Sequence, residues 1–265
     1  EKEWNVPMMR KIGVLTSGGD APGMNAAVMS IARSAAAYGM PLIGIKHGYN
    51  GLLRKSTSIK DDLQELYLDT VLDIADQPGT YLRTARCEEF KDPKWREIAV
   101  QTLKAMEIDG LVVIGGDGSF QGAMRLCELG IPCIGIPGTI DNDLAYTEMT
   151  LGYETAVQVC TEAIRAIRAT SRSHDRPHVV ECMGRHCGDI ALKAACATGS
   201  EIVVVPEVPW SVEEVASRLN KQIAKGNYRS TIVLAEGCWE SMAPFDMYGF
   251  LTSHGKQCFE GEPMS

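Results

Sequence analysis

Thr139, Asp141 and Asp143 close the stretch 131–143, IPCIGIPGTIDND, in which Ile131, Cys133, Ile134 and Ile136 form an apolar run. Such a run suits a strand buried in a parallel sheet, and Pro137 with Gly138 is expected to break it, leaving the polar residues at its carboxyl end. In open α/β sheets ligands bind at that edge. Two carboxylates two residues apart on an extended segment point the same way, so they can share a metal or divide general-base and charge-stabilising work. The plainer alternative is turn or helix-cap chemistry, which Asp-Asn-Asp after a strand commonly serves.

Three other places could meet an anion. In 18–25, GGDAPGMN, a glycine turn joins the strand pattern IGVLT to an Ala-rich helical stretch reaching Tyr38. That junction lets backbone N–H groups and a helix N-terminus approach phosphate, or is simply a tight βα turn. It is neither the G-x-G-x-x-G nor the G-x-x-x-x-G-K-[ST] pattern. In LVVIGGDGS the glycines Gly115, Gly116 and Gly118 surround Asp117, with Ser119 opening the next helix. There a backbone can lie against phosphates while the carboxylate reaches their Mg²⁺. Arg83 and Arg86, three apart after Gly79 and followed by Cys87, are phosphate-binding forks or a solvated basic loop.

The elements that would position these residues alternate. Residues 41–46 and 111–114 read as strands and 93–108 as an amphipathic helix with Pro93 near its start. A helix over 151–170 places Tyr153, Val157, Cys160, Ile164 and Ile167 on one face. A second series follows: strands 178–183, 201–206 and 230–235, and a helix capped by Ser211. Two βα series suggest two α/β lobes, divided near 144–150; residues 56–75 are less legible. A chain of 265 residues can bury a sizeable core. Its net charge of -8 argues against a general nucleic-acid or anionic-membrane binder. The nine cysteines, without a CxxC pair, fit a reduced cytoplasmic protein, and no apolar run is long enough to span a bilayer.

Taken in order, LTSGGDAPGMNAA, IGGDGS, PGTIDND, MGRHCGDIAL and VVVPE resemble the 6-phosphofructokinases of the bacterial type, over roughly residues 11–237. The resemblance implies an α/β chain of two Rossmann-like lobes with mainly parallel sheets, the second lobe incomplete at the C-terminus. The expected division is an appendage over 1–8 (with Met8 or Met9 the natural start), an ATP-binding lobe over 9–145, a sugar-phosphate lobe over 146–237 and an atypical tail over 238–265. The implied reaction is phosphoryl transfer from MgATP to fructose 6-phosphate, usually in an allosteric homotetramer. Gly18, Arg86, Cys87, Gly116, Asp117, Gly118 and Ser119 would hold ATP, with Asp117 serving Mg²⁺. Asp141 would be the general base, with Thr139 and Asp143 beside it. Met183, Gly184, Arg185 and Glu236 would meet the sugar, and Arg176 would reach a neighbouring subunit's sugar phosphate, the alternative being a surface arginine. His186 would cap or pack. Gly118 and Gly138 match ATP-using members rather than pyrophosphate-using relatives, which place Asp and Lys there.

The departures are specific. Of the family's effector cations Arg33 and Arg168 stand, whereas Met29, Ser56, Asn227 and Tyr228 occupy positions where basic residues are common. Beyond Gly237 the strand–helix rhythm and the family's later arginine are not found. Weak or no turnover, with measurable ATP binding at best, is therefore expected; the competing readings are a noncatalytic nucleotide-binding fragment and a pyrophosphate-dependent phosphofructokinase.

Overall fold

A computed structural model of the chain describes residues 10–53 and 62–238. The expected appendage, Ser56 and all but the first residue of the expected tail lie outside that range. Two compact units part between Val159 and Cys160.

In the first unit the sheet has strand order β3-β2-β1-β4-β5-β6, with β1 Ile12–Ser17, β2 Leu42–Ile45, β3 Leu63–Leu66, β4 Gly110–Gly115, β5 Cys133–Thr139 and β6 Leu151–Gly152. All pairs are parallel except β2 with β3. Both faces are covered, which is why β1 and β4 are apolar along their length. Val14 and Ile114 pack with Met24 and Val28 of helix α1 (Met24–Ala37) on one face. Leu15, Leu111 and Val113 pack on the other with Ala99 and Leu103 of α3 (Pro93–Ala105) and Ala123 and Leu126 of α4 (Asp117–Glu128). Each fully buried Val, Leu, Ile or Met side chain among them contributes about 1.5–3 kcal/mol. Asp92 caps α3 by accepting from the Lys94 N–H at 2.9 Å, with Pro93 at the first helical position. The poorly legible stretch supplies the antiparallel strand β3 and a single helical turn, α2 (Leu68–Val71).

Strand β5 departs from expectation twice. It runs through Pro137 and Gly138 rather than ending there. Leu111 donates to the Pro132 carbonyl at 2.9 Å, so by the alternation of a parallel ladder the amides of 134 and 136 turn toward β4 and those of 133, 135 and 137 turn away. Pro137 thus lacks its N–H where β4 does not need it. Nor is the strand deeply buried: Ile134 is 67% exposed, because β6 covers only the end of β5, at Gly138 and Thr139.

The second unit has a parallel sheet ordered β7-β9-β8, from β7 His178–Cys182, β8 Ile202–Val204 and β9 Thr231–Ala235. The central β9 is buried throughout. Helix α6 (Asp189–Thr198) ends on Gly199 in the left-handed region. In α7 (Val212–Ala224) the Ser211 hydroxyl accepts from the Glu214 N–H at 3.1 Å, as the sequence predicts. The unit boundary falls inside the 22-residue helix α5 (Tyr153–His174) rather than at 144–150. The physical reason is that Thr150, Leu151 and Gly152 are bonded to β5 and its exit turn, which binds that loop into the first unit.

Candidate active site

The first unit's chain runs outward from β1 to β2 and then returns to place β4 on the other side of β1. The carboxyl ends of β1 and β4, paired at Ser17 and Gly115, therefore flank a topological switch point, where doubly wound sheets take their ligands. Ser119 Oγ donates to the Ser17 carbonyl at 3.0 Å. A Cβ on Gly115 would lie 2.5 Å from both Ser119 Oγ and the Ser17 carbonyl oxygen, so only glycine allows this closure. Gly18, at φ 91, lies 3.6 Å from the same Ser119 Oγ, measured from a Cβ built on it. The two glycine turns singled out in the sequence are thus one structure.

Gly116 caps α4 without a side-chain bond. Ser119 and Phe120 donate back to its carbonyl, so it is the earlier N–H groups, at Asp117 and Gly118, that a helix start of this kind can offer to an anion. Asp117 is exposed there, its Oδ2 accepting from Gln121 Nε2 at 2.7 Å. A Cβ on Gly118 would meet nothing within 4 Å, so that flank is open. No group of three His, Cys, Asp or Glu side chains assembles as a metal site among the described residues. Asp117 alone nevertheless fits Mg²⁺, which is usually held through one or two carboxylates plus substrate phosphates.

Loop 77–87 is stitched onto this edge by its main chain. The Thr84 hydroxyl donates to the Gly18 carbonyl at 2.8 Å, the Thr16 hydroxyl to Arg83 at 3.0 Å and Asn50 to Arg86 at 3.2 Å. Asn25 grips it twice, donating to Gln77 at 3.0 Å and accepting from the Tyr81 N–H at 2.7 Å. The exposed Arg86 and half-buried Cys87 are carried to the same edge; Arg83, at φ 59, bends the chain there. Beneath it, the buried Tyr49 hydroxyl donates to the Ser119 carbonyl at 2.6 Å, and burial pushes its pKa far up.

The turn after β5 joins the site through Thr139, whose Cβ lies 3.6 Å from a Cβ built on Gly116. Thr139 Oγ1 accepts from the Asp141 N–H at 3.2 Å, and the Thr150 hydroxyl donates to the Thr139 carbonyl at 2.7 Å. Asn142 accepts from the Thr150 N–H at 3.0 Å and adopts φ 53. The segment is therefore a bend rather than an extended run, and the expectation that Asp141 and Asp143 point the same way does not survive it. Asp141 is half-buried and Asp143 exposed.

The second unit assembles Met183, Gly184, Arg185 and Glu236 at the carboxyl ends of β7 and β9. Glu236 Oε1 accepts from the Gly184 N–H at 3.0 Å and the Arg185 N–H at 2.5 Å. Met183 and Arg185 are exposed. A Cβ on Gly237 would lie 2.3 Å from the Arg185 carbonyl oxygen. Glu207, the last residue of VVVPE, to which the sequence reading gave no role, accepts from the Gly188 N–H at 2.7 Å and holds the far end of the same loop. Arg176 is not brought to this group: it precedes β7, at the opposite end of a five-residue strand about 16 Å long. Elsewhere in this unit Arg168 forms a two-point ion pair with Glu201, at 3.0 and 3.3 Å. Burial opposes ionisation of Glu201, but the bonds from Arg168 and the Thr231 N–H outweigh it and lower its pKa. Arg172, Asn227 and Arg229 line the same cavity.

A family model described as phosphofructokinase matches residues 11–258, past the Gly237 at which the resemblance was read to stop. An ATP-dependent 6-phosphofructokinase of Clostridioides difficile is 56% identical over 229 residues, covering 86% of this chain and 70% of that protein. The structure of phosphofructokinase from Saccharomyces cerevisiae aligns with TM-score 0.77 and 36% identity, over 86% of this chain but only 34% of the yeast chain. A pyrophosphate-dependent phosphofructokinase of Marinobacter aquaeolei shares the fold, with TM-score 0.74, at 22% identity over 96% of this chain and 66% of its own.

Proposed function

The chain belongs to the phosphofructokinase family, and from that premise we propose that it transfers the γ-phosphoryl group of MgATP to the 1-hydroxyl of fructose 6-phosphate. The observation that carries this reading is the meeting of Gly18, the 115–119 turn and Thr139 at one sheet edge. Phosphoryl transfer needs little covalent participation by the protein; it needs positioning and countercharge. The turns after β1 and β4 and the amino end of α4 would cradle the phosphates, with the exposed Arg86 as a cation and Cys87 beside the nucleotide. Asp117 would hold Mg²⁺, which when bound would neutralise charge on the phosphate oxygens. Asp141 would accept the proton of the sugar 1-hydroxyl, while Thr139 and Asp143 orient the group being transferred. Met183, Gly184 and Arg185 would meet the sugar phosphate on the loop that Glu236 grips.

ATP is favoured over pyrophosphate as donor. The open flank at Gly118 leaves room for a nucleoside, and a Cβ on Gly138 would lie 2.9 Å from Ile114 Cγ2 and 3.1 Å from Met24 Cε, where a lysine would not fit. Arg176, remote from the other sugar residues within its own chain, suits a contact with a second copy, so a homo-oligomer, tetrameric as the family implies, belongs to the same reading. No helix among the described residues is long and apolar enough to cross a membrane, which agrees with a cytoplasmic enzyme. Effector regulation would rest on Arg168 and Arg33 without the family's other cations.

The test pairs ATP binding by calorimetry with ADP formation in a coupled assay. ADP formation that depends on fructose 6-phosphate is expected; ATP binding without it would leave a noncatalytic nucleotide-binding protein.

A further inference from the structure

We propose that Thr150 and Asn142 are positioning residues for Asp141: together they clasp the bend after β5 and fix where its carboxylate is presented. The inference rests on the reading of Asp141 as the base and adds two residues to which that reading gives no part. Thr150 stands at the far end of the loop 140–150, just before β6, and is only 4% exposed. Its one hydroxyl hydrogen has two acceptors in reach, the Thr139 carbonyl at 2.7 Å and Asn142 Oδ1 at 3.4 Å. The shorter bond takes it. Asn142 Oδ1 is left to the Thr150 N–H at 3.0 Å. A single residue therefore holds the chain on both sides of Asp141. Between those two points the Asp141 N–H is bonded to Thr139 Oγ1 at 3.2 Å, so the main chain around the base is fixed at three places.

Asn142 contributes in a second way. It adopts φ 53, in the left-handed region that asparagine enters more readily than most side chains. The reversal there keeps Asp143 out in solvent while Asp141 stays half-buried, so the two neighbouring carboxylates occupy different surroundings.

The clasp has a rigid footing. The Thr150 carbonyl accepts from the Tyr153 N–H at 3.3 Å, at the start of α5, where Tyr153 is fully buried. Leu151 and Gly152 pair with Gly138 and Thr139. A Cβ on Gly152 would lie 2.9 Å from Ala21 Cβ and 3.0 Å from the Pro22 carbonyl oxygen, and one on Gly23 would lie 3.1 Å from Leu151 Cδ1. The strand beside Thr150 is thus packed against the 18–25 turn, one of the two that would cradle phosphate. A general base must stand within hydrogen-bond reach of its proton, and a displacement of about 1 Å can cost about 10²-fold in rate. Thr150 links the bend that carries the base to the turn that would hold the donor. Buried as it is, it acts through Asp141 rather than on a substrate.

The test is a double-mutant cycle read by steady-state kinetics, with amide exchange of the peptide covering 139–143 beside it. Thr150→Val keeps the outline of the side chain and removes the donor. It should lower kcat about 10-fold while KM for fructose 6-phosphate and for ATP stays within about 2-fold. Thr150→Ser, which keeps the donor, should recover most of that loss. In an Asp141→Asn background the valine substitution should cost nothing further in kcat, because no base is left to position. Asn142→Gly keeps the backbone freedom and removes the acceptor, so it should reproduce the Thr150→Val effect; it also carries both readouts if the valine variant fails to fold. An equal loss of kcat from Thr150→Val in both backgrounds is what a merely structural threonine would give, and it would overturn the clasp while leaving the base standing. Near-normal kcat in Asp141→Asn alone would instead remove the base, and the proposal with it. Exchange decides the geometry without turnover: the amides of 139–143 should exchange about 10-fold faster in Thr150→Val and close to the parent rate in Thr150→Ser. Unchanged exchange in the valine variant would overturn the proposal.

Discussion

Replacing Glu236 separates two roles that one carboxylate could play. Its Oε1 accepts from the Gly184 and Arg185 N–H groups at 3.0 and 2.5 Å, and a hydrogen bond to a charged group contributes about 1.5–3 kcal/mol. Arg185 is exposed, so its N–H regains water in an alanine variant and the lower figure applies to it. Together the two bonds should be worth about 3 kcal/mol, or roughly 10²-fold in the opening equilibrium of the loop. Glutamine keeps an acceptor but loses the charge, which roughly halves the effect and leaves about a 10-fold change. The assay is amide hydrogen exchange of the peptide covering 183–188, run beside fructose 6-phosphate binding by calorimetry. Glu236→Ala should speed exchange by about 10²-fold and Glu236→Gln by about 10-fold, with binding falling in step. Unchanged exchange in the alanine variant would refute the grip. Loss of sugar binding to the same extent in both variants, without faster exchange, would show that Glu236 acts on the sugar directly.

Three further outcomes follow from the geometry. Asp141→Asn should lower kcat by about 10²-fold or more while fructose 6-phosphate affinity survives, measured by steady-state kinetics; near-normal kcat would exclude it as the base. Gly138→Lys should lower the thermal midpoint, because its side chain meets Ile114 and Met24 and overpacking costs about 1–3 kcal/mol; an unchanged melting curve would show a space that the closed structure does not have. Glu201 has its pKa lowered below the ordinary 4.5, so its contribution to stability is present above pH 4.5 and fades as pH falls through the lowered folded value. Melting curves for Glu201→Gln should therefore show a flatter loss of stability below pH 4.5 than the parent chain, and parallel acid limbs would contradict the assignment.

What the sequence made legible were the residues whose neighbours in the chain do the structural work. The apolar runs of β1, β4 and β9 read correctly because strands covered on both sides must be apolar throughout, and Ser211 announced its helix because a cap acts three residues away. The turn glycines were visible as types, but their junction was not: it depends on a bond from Ser119 to Ser17, 102 residues apart. Asn25, Thr84 and Thr150 were passed over for the same reason, since each makes its bond to a distant backbone group. Strand β3 was obscured because LQEL is half polar, as an antiparallel border strand can be. The left-handed Asn142 carries no periodic signature, so the bend between Asp141 and Asp143 could only be seen in three dimensions.

Pro137 has one more consequence, which concerns association rather than catalysis. A sheet border with a row of outward N–H groups is a template on which another extended chain can grow. Along β5 the outward amides belong to residues 133, 135 and 137, and the last is a proline with none to give. A strand laid along this border would find two donors, then a gap, then the stretch already taken by β6 at Gly138 and Thr139. That is too short a ladder to hold an intruder, so the proline that β5 runs through on its way to the site also works as a gatekeeper against misassembly while the partly exposed Ile134 and Ile136 stay in place.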